Sequence, residues 1–68
     1  MKIDYDPDAD AMNIKLRQGN IDRTIKIDEN VLMDLDKSGE IINIEILFVK
    51  ERNPGILKGL KIGNPVSA

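Results

Sequence analysis

The sequence predicts a mainly β domain: an antiparallel five-stranded β-meander, α+β only at its margin, with a short C-terminal helical segment. Three observations carry that expectation. Apolar residues recur at every second position as far as Phe48. The links between those stretches are short and rich in Asp, Asn, Gly and Pro. Eleven isoleucines stand against one Phe and one Tyr, and β-branched side chains suit a pleated, half-buried surface.

The strands follow in order. Ile3 and Tyr5 alternate with Lys2 and Asp4, and Met12, Ile14 and Leu16 with Asn13 and Lys15. Ile25 and Ile27 alternate with Thr24, Lys26 and Asp28, and Val31, Met33 and Leu35 with Leu32, Asp34 and Asp36. Ile42, Ile44 and Ile46 form the inward set of the last strand, with Ile41, Asn43, Glu45 and Leu47 on its other face. Helical spacing fits less well in every window. Between strands, Asp6-Pro7-Asp8, Arg17-Gln18-Gly19-Asn20, Asp28-Glu29-Asn30 and Asp36-Lys37-Ser38-Gly39 all carry turn chemistry. Each link is too short for a parallel crossover, so hairpin neighbours in the order 1-2-3-4-5 are expected. After Phe48 the pattern changes. Asn53-Pro54 reads as the cap and first residue of a helical turn over 54–60, with Ile56, Leu57 and Leu60 on one face. Gly55 and Gly59 oppose it by about 1 kcal/mol each relative to Ala. The expected organisation is a single domain, with the meander over 1–49 and a basic, partly helical segment over 50–68 whose end is frayed.

Composition narrows the chemistry. With no Cys and no His, the chain has no disulfide, thiolate nucleophile, zinc ribbon or imidazole base. A domain of 68 residues buries only about 60% of its unfolded surface, and small scaffolds need a disulfide, a metal or a partner. Association with another chain, in the first instance a homodimer, is therefore expected, and no cofactor or metal. No run of apolar residues is long enough to span a membrane. Met1-Lys2-Ile3-Asp4 is not followed by the apolar stretch of a signal peptide, and the expected location is a reducing cytoplasm. The formal charge is −2, split unevenly: eleven acids and six bases over 1–49, one acid and four bases over 50–68. The basic tail would be solvated, or lie against its own acidic sheet or against a second chain. Nucleic acid is a poor partner for an acidic sheet with no aromatic stacking pair.

The residues that invite a functional reading are mostly acidic. Asp4, Asp6, Asp8 and Asp10 suggest a hard-cation loop, but an EF-hand register started at Asp6 meets Ala11 and Arg17 where Gly and Glu are needed, and one started at Asp4 meets Ala9 and Lys15. A solvated turn whose carboxylates bond local backbone is the simpler reading. In Ala9-Asp10-Ala11, Asp10 either bonds nearby N–H groups or serves as a catalytic carboxylate paired with Glu45 or Asp34; so small a sheet offers little room for a cleft, and no enzyme is expected. Gly55 and Gly59 lack the Lys-Ser/Thr that a phosphate loop requires. Glu45 shares its strand face with Ile41, Asn43 and Leu47, and needs a Lys or Arg partner if partly buried. That face also holds Leu32 and is too apolar to be left to water; the C-terminal segment, through Ile56, Leu57 and Leu60, and a second subunit are together expected to cover it. Leu32, Ile41, Leu47, Ile56, Leu57 and Leu60 are the expected self-association or partner surface.

Two blocks together resemble a known family. Residues 5–16, with Tyr5-Asp6-Pro7-Asp8-Ala9-Asp10-Ala11 opening an alternating strand, are followed by residues 31–47, with Asp34-x-Asp36-x-x-Gly39 and then Ile44-Glu45-Ile46-Leu47. The chain is thereby similar, over about residues 2–48, to the domain-of-unknown-function family 2283. Asn13 stands where that family often has Tyr, and Asn43 where it often has Gly. The resemblance implies a short β-rich prokaryotic protein with no assigned activity. For members encoded beside small basic proteins of the type II toxin class, it implies an antitoxin-like role that neutralises a small basic partner.

Overall fold

The computed structural model describes residues 1–55. Five strands, β1 (Lys2–Asp6), β2 (Ala11–Lys15), β3 (Arg23–Asp28), β4 (Val31–Leu35) and β5 (Ile41–Leu47), form one antiparallel sheet, followed by a one-turn helix α1 (Val49–Arg52). The mainly β class and the short helix near the C-terminus are as the sequence predicts.

The strand order differs. It is β1-β2-β5-β4-β3, so hairpin connections survive within β1–β2 and within β3–β4–β5, but β5 inserts between β2 and β4. The expected order 1-2-3-4-5 is corrected to a Greek-key order. The reason lies in the strands themselves. β5 carries apolar groups on both faces and belongs in the interior of a sheet. β3 reads Arg23-Thr24-Ile25-Lys26-Ile27-Asp28, is exposed along its whole length, and suits an edge.

Residues 16–22 are therefore a strap and not a hairpin turn. Leu16 N–H donates to Ile42 O at 2.8 Å and Asp22 N–H to Leu35 O at 2.7 Å, while the Arg17 guanidinium reaches Ile41 O at 2.6 Å. The strap thus crosses the ends of β5 and β4. Beneath it are Ile42 and Leu35, two of the most buried side chains. A Cβ on Gly19 would lie 3.0 Å from Ile42 Cδ1, so close approach is what Gly19 provides.

Two irregularities shape the sheet. Ile42 is the extra residue of a bulge between β4 and β5, where Asp34 pairs Asn43 and Leu35 pairs Ile41. Ile27 plays that part between β3 and β4. The Asp36 turn matches the expectation of Asp first and Gly last: the Asp36 carboxylate accepts from Ser38 N–H and Glu40 N–H, both at 2.9 Å, and Gly39 has φ +90°. Those bonds, Glu40 N–H foremost, hold the Asp36 carboxyl below its ordinary pKa.

The helix also lies elsewhere than expected. α1 starts directly after Phe48, whose φ of +54° reverses the chain without a linker. Asn53 closes the turn instead of opening one: its N–H donates to Val49 O at 3.0 Å. Pro54 disfavours helical backbone at the residue before it. Of the predicted turn over 54–60, residues 56–60 lie outside the described residues.

Gly19→Val tests the strap. It is expected to cost ~1–3 kcal/mol by overpacking against Ile42, read as a lower Tm. A hairpin turn at 17–20 would leave the substitution silent.

Candidate functional site

Cross-strand register sorts the side chains onto two faces. On the first, a row runs Ile3, Ile14, Ile44, Met33, Ile25 across all five strands, and a second runs Tyr5, Met12, Ile46, Val31 and ends on Asp28. Met12 is buried; Ile3, Ile14, Ile44, Ile46, Met33 and Val31 are half-buried, and Ile25 is 38% exposed. Among the described residues the sheet is a single layer, and no second sheet or long helix lies across this face. The sequence reading takes Ile42, Ile44 and Ile46 as interior. Ile42 is interior, but Ile44 and Ile46 are only half-buried, with no covering layer among the described residues.

The second face is mixed. Register places Leu32 opposite Glu45, Glu45 opposite Asn13, and Leu47 opposite Ala11. Leu32 and Leu47 therefore share a face with Glu45, as expected. Ile41 is set apart by the bulge and pairs with Leu35. Ile56, Leu57 and Leu60 lie outside the described residues. Beside Leu32 and Leu47 on this face runs a polar ladder. Asn43 Nδ2 donates to Asn13 Oδ1 at 3.0 Å and to Asp34 Oδ2 at 3.1 Å, and Thr24 Oγ1 donates to Asp34 Oδ1 at 2.6 Å. The two asparagines that depart from the family pattern thus meet each other. Asp34 is occupied in this ladder, and among the described residues no Lys or Arg forms an ion pair with Glu45.

Asp10 ties the first hairpin to the helix. Its φ is +54°, a conformation Asp tolerates, and its carboxylate accepts from Lys50 N–H at 2.8 Å and Glu51 N–H at 3.0 Å. Val49 N–H donates to Asp10 O at 3.1 Å. These are the N–H groups that a helix start leaves without intrahelical partners, here capped from 40 residues away. The Tyr5 hydroxyl donates to Asp10 Oδ1 at 2.6 Å. This bond, followed by that from Lys50 N–H, lowers the Asp10 pKa, and the same bond raises that of Tyr5 to about 12. A carboxylate so held accepts protons poorly, and its oxygens already carry three donors.

The remaining acids of the first turn are local. Asp6 Oδ1 accepts from Asp8 N–H at 3.0 Å and Ala9 N–H at 3.4 Å, the backbone-capping turn expected there. An open concavity of about 410 Å³ lies between the strap and the 36–40 turn, lined by Asn20, Ile21, Asp22, Asp36, Lys37 and Ser38. Asp10, Glu45 and Asp34, the acids weighed for catalysis, do not line it. No described helix is long and apolar enough to cross a membrane.

Of these features the sequence reading missed the open aliphatic face and the long-range cap. The first has a signal in the sequence. Five short strands in so short a chain pair edge to edge, and among the described residues no second layer packs against the face assigned to the interior. The second has none beyond the acid between Ala9 and Ala11.

The single Tyr and absent Trp make the Asp10 arrangement measurable. Tyr5's contribution to stability is complete below its ordinary pKa near 10 and is lost as pH rises toward about 12; Asp10's is complete above the ordinary carboxylate range and is lost as pH falls through its lower folded value. Ultraviolet titration of the phenolate should give a midpoint near 12, and Asp10→Asn should bring it back toward about 10. An ordinary midpoint in the parent chain would contradict the bond. Asp8→Asn, by contrast, should change stability by less than about 0.5 kcal/mol; a larger loss of Tm would show that the Asp8 carboxylate has a role beyond the turn.

No curated protein and no solved structure matches the chain. One family pattern does, over residues 2–50, a span containing all five strands and the start of α1. The chain belongs to the family described as proteins of unknown function, DUF2283.

Proposed function

We propose that this chain is a non-enzymatic protein-interaction module of the cytoplasm that works as a homodimer. The observation that carries the reading is the aliphatic face: two rows of Ile, Val, Met and Tyr side chains, without a covering layer among the described residues. An apolar surface continuous across five strands costs free energy in water in proportion to its area and marks an interaction site. A second copy presents the same surface and meets it without any new chemistry. Tyr5 and Asp10, whose mutual bond displaces both pKa values, are engaged in holding α1, which supports a scaffold role for them over a chemical one.

A second reading has its own support in charge. Asp4, Asp6, Asp8, Asp22, Asp28, Glu29 and Glu40 are exposed, and an acidic surface speeds encounter with a basic protein. The antitoxin-like role implied by the family resemblance would use that surface on a small basic partner.

Light scattering across a dilution series tests the first reading. The expected particle has twice the 7.6 kDa chain mass at high concentration and dissociates on dilution. Co-expression with the product of the adjacent reading frame tests the second, a salt-sensitive complex being expected; no complex at low salt would contradict it.

A further inference from the structure

Resting on the homodimer reading, we propose that the second copy docks face to face on the aliphatic face, giving a two-layer sandwich in which neither sheet edge pairs across the dimer. The edges argue for this. β1 presents exposed Lys2, Asp4 and Asp6 with Pro7 directly after them, and Lys2 and Asp4 form an ion pair at 3.7 Å. β3 presents Arg23, Lys26 and Asp28, and its pairing is broken by the Ile27 bulge. Charges, proline and bulges on edge strands oppose continuation of a sheet. Edge pairing would moreover leave the aliphatic face of both copies in water, whereas face packing removes it.

The face is suited to its own copy. The central row Ile3, Ile14, Ile44, Met33, Ile25 contains no charge, so a two-fold that sets the row against itself brings no like charges together. Lys15, Lys26, Asp34 and Glu45 fall on the opposite face by register, while Asp28, opposite Val31, stands at the β3 edge of the second aliphatic row. Five strands about 4.8 Å apart and five residues at about 3.3 Å rise give a face of roughly 400 Å² in projection. Branched side chains make the accessible area larger than the projection, toward the roughly 600 Å² per partner at which specific interfaces begin.

The absence of Cys makes the test direct. Met33→Cys lies between the sheets of a sandwich, about 10 Å apart, whereas Lys26→Cys and Asp4→Cys lie on outer faces and approach their own copies only through an edge. With a thiol crosslinker about 10 Å long, Met33→Cys is expected to give covalent dimers, and Lys26→Cys and Asp4→Cys none. Ile25→Lys, at a position already 38% exposed on an edge strand, is expected to keep its strand circular dichroism and to weaken self-association at least tenfold in light scattering. Crosslinking at Lys26→Cys or Asp4→Cys without crosslinking at Met33→Cys overturns the sandwich and leaves the homodimer reading standing. A parent chain that is monomeric at every concentration overturns both, and points to residues 56–68 or to a different protein as the occupant of the face.

Discussion

β5 pairs with β2 along one side and with β4 along the other, and the rest of the structure depends on that double pairing. Among the described residues it is the only strand joining the β1–β2 hairpin to the β3–β4 hairpin. Its sequence fits the task. Ile44 and Ile46 continue the aliphatic rows, while Leu47 and Asn43 serve the other face. The Ile42 bulge, the most buried point of the described chain, lets the end of β5 receive the strap. Once β5 is central, the charged β3 falls at an edge and residues 16–22 must cross two strand ends, which fixes the need for Gly19.

The same strand delivers α1. The chain leaves β5 through Phe48 in a left-handed conformation and immediately meets Asp10 of the first hairpin. Asp10 and Phe48 are the two positive-φ non-glycine residues of the described chain, and both sit where hairpin and helix join. Two conformations disfavoured in isolation persist because the Asp10 carboxylate and carbonyl satisfy the first N–H groups of the helix. Tyr5 completes the junction from β1, so the family-like stretch from Tyr5 to Ala11 reads as the support of a helix start.

What the sequence made legible was local. Period-two alternation located all five strands, and Asp36-Lys37-Ser38-Gly39 and Asp6-Pro7-Asp8 turned as their chemistry requires. Alternation assigns a side chain to a face but not a strand to a neighbour, so Arg17-Gln18-Gly19-Asn20 could pass for a hairpin turn while serving as a strap. Asn53-Pro54 resembles a helix start because its local pattern is that of a cap; the true cap lies 40 residues away in Asp10, beyond the reach of any spacing rule. The bond between Asn13 and Asn43 was equally invisible, since it spans two strands that only the Greek-key order makes adjacent. The sorting of apolar side chains between the two faces was half legible. Leu32 and Leu47 do share a face with Glu45, but the more apolar face is the one that alternation labels interior.

That face carries the central claim, that a single sheet with an uncharged row across it is stable only when the row is covered. Ile44 lies at the middle of the row, flanked by Ile14 and Met33. Thermal unfolding of Ile44→Asp, followed by circular dichroism, tests the claim most directly. An unpaired charge placed under a covered face costs several kcal/mol, enough to unfold so small a chain, and loss of the cooperative transition is the expected result. A folded Ile44→Asp chain with the parent Tm would show that the face is open to water and contradict the account.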